Sequence, residues 1–122
     1  MPVPIIVAVE GLILRGELFD TPCARAVAGA LPLAVRPNEW GDEFCFEVPL
    51  ALPPDGTATT SVKVGDIGYW PPGRALAIFF GPTPLSTGPD PVPASEVNIV
   101  GRITGDASQL KAKKGARQIR IE

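Results

Sequence analysis

Few side chains in this chain can do chemistry, and their types narrow that chemistry quickly. Among 122 residues there is no histidine. That removes the Ser-His-Asp triad, the Cys-His pair and every zinc site that needs an imidazole. Cys23 and Cys45 are the only two cysteines, too few for a thiolate zinc site or a disulfide framework. The acidic residues follow no hard-metal ligand spacing, and "GDIG" and "GRITG" lack the spacing and the lysine of a phosphate loop. Neither a metal nor a cofactor is expected. Carboxylate chemistry stays open. Its candidate is Glu43 in "EWGDE", although alternation with Phe44 would turn it toward solvent.

Aromatic recognition is the other chemistry on offer. "GDIGYWPPGRALAIFFG", residues 65–81, sets Tyr69 and Trp70 against a double proline and a glycine. Aromatics there either fill the core or line a concave site that the rigid turn holds in place. Thr83, before Pro84, reads as a turn residue or a polar anchor. Asn98 interrupts an apolar strand, where it can hydrogen-bond a neighbouring loop or a ligand. Trp40 reads as packing a loop against the body of the fold.

The elements that must position these residues are mostly strands. Residues 3–9 are rich in Val and Ile, and Glu10-Gly11 makes a two-residue hairpin turn into an alternating strand over 12–18. The period then changes. Thr21 caps a helix with Pro22 at its first position, and Ala24, Val27, Ala28 and Leu31 form one apolar stripe. A helix over 21–31 is predicted, with Val27 and Leu31 buried and one open end of the fold covered. Pro32 ends it. Strand patterns follow in "LAVR", "EFCFEV", "VKVGDIGYW", "ALAIFF", "VNIVGRI" and "ARQIRI", with at most a helical turn at "DASQL" capped by Asp106. Phe44, Phe46 and Val48 share one strand face; Glu43, Cys45 and Glu47 share the other. Eight short strands and one good helix predict a mainly β fold closed into a barrel, because closure removes exposed strand edges.

Composition sets the outer limits. The chain is long enough for one domain, residues 1–122, with a single core. A net charge of −2 and the absence of a basic stripe give no reason to expect nucleic acid. The longest apolar runs, "IIVAV" and "ALAIFF", are far short of the roughly 20 residues of a membrane helix. The first residues lack the charged start and apolar core of a signal peptide. A cytoplasmic protein with reduced thiols is expected.

Four segments carry a resemblance. "NEWGDEFCFEVP", "GDIGYWPPG", "FFGPTP" and "VNIVGRI" resemble, in order and over nearly the whole chain, an uncharacterised family of small prokaryotic cyclophilin-like proteins. That resemblance implies a compact, closed eight-stranded barrel capped by one or two short helices. The likeness to the peptidyl-prolyl isomerases themselves is weaker. Those enzymes overcome an amide barrier of about 18–20 kcal/mol with an arginine at the prolyl bond inside an aromatic-walled pocket. Aligned on them, Ala34 takes the arginine position, and a shift of two residues offers Arg36. The aromatic wall falls near Ala77 and the pocket tryptophan near Leu85; the active-site histidine has no counterpart.

The resemblance also places a site. It lies on the barrel flank, bounded by Trp70, the 82–95 loop and the strand carrying Arg36, with Tyr69, Glu43, Thr83 and Asn98 as wall or rim. The function it implies is binding of a peptide segment or small ligand in a surface pocket. The alternative is an enzyme, with residual prolyl isomerase activity through Arg36 or a carboxylate-assisted reaction through Glu43. Efficient isomerase activity is not expected.

Overall fold

The computed structural model describes residues 1–122. Its first hairpin is built as the turn chemistry dictates: β1 (Val3–Val9) and β2 (Leu12–Leu18) pair antiparallel, with Val9 opposite Leu12. Glu10 and Gly11 both take positive φ, 45° and 95°, which a two-residue turn matched to strand twist requires. Helix α1 (Pro22–Gly29) follows, capped by Thr21, whose Oγ1 accepts from the Ala24 amide at 3.1 Å. Its apolar stripe packs against β2 and β8 (Asn98–Ile103) and buries Ala24 and Val27. Leu31 is only half-buried, because the helix ends two residues before it.

The remaining strands are β3 (Leu33–Val35), β4 (Asn38–Glu39), β5 (Glu43–Glu47), β6 (Asp66–Trp70), β7 (Ala75–Phe79) and β9 (Ile119–Ile121). Eight of the nine are those expected. The extra one, β4, is two residues long and carries no periodicity of its own. β6 begins at Asp66, later than the apolar pattern of 62–70 suggested. The "DASQL" turn extends into a 3₁₀ segment, Ala107–Lys113, capped by Asp106.

All nine strands join one antiparallel sheet, in the order β3-β9-β1-β2-β8-β6-β7-β5-β4. Its two edges, β3 and β4, are consecutive in the chain and joined only by Arg36 and Pro37. Val35 and Asn38 are thus three residues apart, which holds the edges there within about 11 Å. The sheet has to curl almost shut. Inside it, Phe44, Phe46, Ile67, Tyr69, Leu76, Ile78 and Phe80 form the centre of the core, with Phe44 and Phe80 ring centroids 4.8 Å apart.

Candidate functional site

β7 is buried on both faces, and the reason for its covered outer face is the origin of the site. Loops folded over the flank of β5, β6, β7 and β8 bury a second, smaller cluster of Val62, Ala77, Phe79 and Val97. At one level of this flank the outward residues are small. Cys45 lies opposite Ala77, and Ala77 opposite Gly68. Val97 fills the space over Gly68, where an added Cβ would come within 2.8 Å of its Cγ2. Over Cys45 and Ala77 the space stays open as a cavity of about 280 Å³.

Larger side chains rim that floor. Trp70 and Val97 stand on one side, Trp40 and Glu39 on another, and Pro93 and Ala94 reach in from the proline-rich loop. The Trp70 indole is held at both ends. Its Nε1 donates to Ser95 Oγ at 2.6 Å, and its six-membered ring lies on Gly73, where a Cβ would meet Cε3 and Cζ3 at 2.6 Å. Only glycine fits beneath that ring, which explains "YWPPG". The turn carrying Trp40 is clamped as well. Asp42 N donates to Pro82 O at 2.9 Å, Phe80 N to Asp42 O at 2.9 Å, and Gly41, at φ 62°, approaches Thr83 Cα closely. Outside the turn, Asp42 pairs with Lys114 at 3.1 Å and lies 3.9 Å from Lys111.

Glu43 completes the lining. It is 7% exposed and its Oε1 has no hydrogen-bond partner. Burial disfavours its charged form and raises its pKa to about 7, opposed by a hydrogen bond from the Cys45 thiol. Cys45 is pushed up to about 11, first by burial and then by Glu43. It stays a thiol at neutral pH and is no nucleophile. A carboxyl titrating near neutrality can exchange a proton with whatever enters. The two cysteines are unpaired, and nowhere do three potential metal ligands converge.

Of the six residues singled out from sequence, the fold brings Trp70 and Glu43 to the cavity. The other four lie elsewhere. Tyr69, one residue from Trp70, faces the opposite side of β6 and is fully buried; its hydroxyl donates to Leu50 O at 2.8 Å and accepts from Leu52 N at 3.1 Å. Asn98 is equally buried. Its Oδ1 accepts from Asp55 N at 2.9 Å and its Nδ2 donates to Pro53 O at 3.0 Å. Thr83 braces the proline-rich loop through Ser86 Oγ and the Val92 carbonyl. Arg36 is exposed at the seam between β3 and β4. Glu39, Cys45 and Ala77 line the cavity without having been proposed. The usable signal was the i, i+2 relation of Glu43 and Cys45.

The model of a family described as cyclophilin-like matches residues 3–122. The chain belongs to the cyclophilin-like family. A hypothetical protein from Archaeoglobus fulgidus, solved in solution, is 33% identical and superposes with a TM-score of 0.80, covering 99% of this chain and 94% of that one. No curated protein is significantly similar. In this cyclophilin-like barrel, Ala77, near which the resemblance to the isomerases puts their aromatic wall, is part of the cavity floor. Leu85, near which it puts their pocket tryptophan, is 51% exposed.

Proposed function

We propose that this cyclophilin-like chain is a binding module that takes a peptide segment or small ligand into the flank cavity. The observation that carries the reading is an apolar cavity, walled by two tryptophans held in place from outside it, with one buried polar atom left without a partner. Sites of this kind combine apolar area with a few fixed polar groups that orient the ligand. The cytoplasmic location belongs to the same proposal, and two unpaired thiols support it. The isomerase alternative needs a cation at the cavity, and Arg36 lies outside it.

Trp70→Ala tests the binding reading. The indole rests on Gly73 and Ser95 rather than in the main core, so the variant should fold as before. A ligand found by screening the wild-type chain should lose at least tenfold in affinity. Unchanged affinity in the folded variant would place binding elsewhere.

A further inference from the structure

We propose that the cavity is built for an alkylammonium group, the charge meeting Glu43 and the alkyl chain lying between Trp40 and Trp70. This inference rests on the binding reading above and names the chemistry of the ligand.

Three observations lead to it. The first is the carboxyl of Glu43: the residue belongs to the cavity lining, and its Oε1, closed off from solvent, has no hydrogen-bond partner. A buried carboxylate without a partner is costly, so an entering donor gains what the fold leaves unmade, and a charged donor gains most. The second is the sign of the surroundings. The lining carries two acids, Glu39 and Glu43, and no Lys or Arg. The third is the pair of tryptophans in the lining, whose broad apolar rings suit an alkyl chain. A compact ammonium needs one acceptor, whereas a guanidinium fork needs both carboxylate oxygens in one plane.

The groups around Glu43 leave its charge uncompensated. Cys45, two residues along β5, is a neutral thiol and only a weak donor to the carboxyl, and Phe79 lies opposite on β7. Glu39 on β4 is acidic, and its Oε2 already accepts from Gly115 N. Lys111 and Lys114 are engaged with Asp42. An alkylammonium with a pKa of about 10.4 stays charged from pH 6 to pH 8. Glu43, titrating at about 7, changes over that interval from mostly protonated to mostly ionised. Affinity for the ammonium therefore rises with pH, by about tenfold from pH 6 to pH 8 if only the carboxylate binds it.

Both of the protein's tryptophans line the cavity, so intrinsic fluorescence reads occupancy directly. The probes are n-butylamine, 1-butanol, and the N-acetyl N-methylamides of lysine and arginine. The amine should shift the emission at pH 8 at least tenfold more tightly than the alcohol, and about tenfold more weakly at pH 6. The wild-type pH profile needs no variant. Glu43→Gln, matched in shape, should erase both the preference and the pH dependence while leaving the thermal transition cooperative. Tighter binding of the lysine probe than of butylamine assigns the ammonium to a peptide side chain; the reverse order assigns it to a free amine. Equal binding of butanol and butylamine, tighter binding of the arginine probe, or an unchanged preference in Glu43→Gln would overturn the proposal. If butanol binds as well as butylamine and Trp70→Ala abolishes both, the binding reading stands and the ammonium alone fails. Silence from all four probes also overturns the ammonium proposal, and the broader screen then decides the binding reading.

Discussion

Glu43 is the residue at which structure and chemistry pull against each other. Its carboxyl sits on the covered side of β5, where burial raises its pKa from the ordinary 4.5 to about 7. The folded state therefore holds a proton that the unfolded chain gives up as pH rises above about 4.5. Stability contributed by Glu43 is present below that pH, declines up to about pH 7, and stays low beyond it. A shift of this size corresponds to about 3 kcal/mol. Glu43→Gln removes the charge and keeps the shape. It should raise stability by about 1–3 kcal/mol at pH 8 and change it little at pH 5. For a domain of this size that is roughly 3–5 °C in Tm per kcal/mol. Thermal unfolding of both proteins at the two pH values checks it, and an equal shift at each would contradict the burial argument. In the sequence, alternation gave Glu43 the outward side of its strand. It could not show that loops cover that side, because face and depth are separate properties of a strand residue.

At the scale of elements, polar side chains of the inner face hold down a loop. Tyr69 and Asn98 bond to the backbone at Leu50, Leu52, Pro53 and Asp55, and so fasten the segment after β5. Their types were legible as unusual in apolar strands, but a buried amide looks the same in sequence whether its partner is backbone or ligand. Asn98→Ala takes its partner from the half-buried Asp55 amide and from the carbonyl of the exposed Pro53, where water replaces part of what is lost. We expect a loss of about 1–2 kcal/mol and faster amide exchange at residues 55–57, read by denaturant unfolding and hydrogen exchange. Exchange unchanged at those amides would mean that Asn98 is not the latch. Helix α1 shows the opposite case. Its cap, its first-turn proline and its stripe are local signals, so its start and its buried face could be read directly. Leu31 could not, since the stripe continues past the point where the backbone stops being helical. The cavity floor was illegible for a third reason. Cys45, Ala77 and Gly68 come together only through the register of three strands.

For the whole molecule, curling the sheet brings its two edges to a seam only Arg36 and Pro37 wide. It also turns one flank into a surface that loops can roof. The barrel itself was legible, because short alternating strands without a protected edge have few other ways to fold. The distribution of function over its surface was not. Arg36 ends at the seam, and the small Ala77 lines the cavity where the resemblance to the isomerases would put an aromatic wall nearby, so a proline ring would be poorly held, and misplacement by about 1 Å can cost roughly a hundredfold in rate. A prolyl isomerisation assay over several peptides should give rates near the uncatalysed background. Strong activity lost in Arg36→Ala would contradict that expectation. That the flank cavity is where this barrel meets its ligand can be checked by mapping amide chemical shifts as screened amines, apolar fragments and short peptides bind. The shifts of every specific binder should centre on Cys45, Trp70, Ala77 and Val97. Shifts centred instead on the cleft between Pro4 and Arg15, or on Arg36, would contradict it.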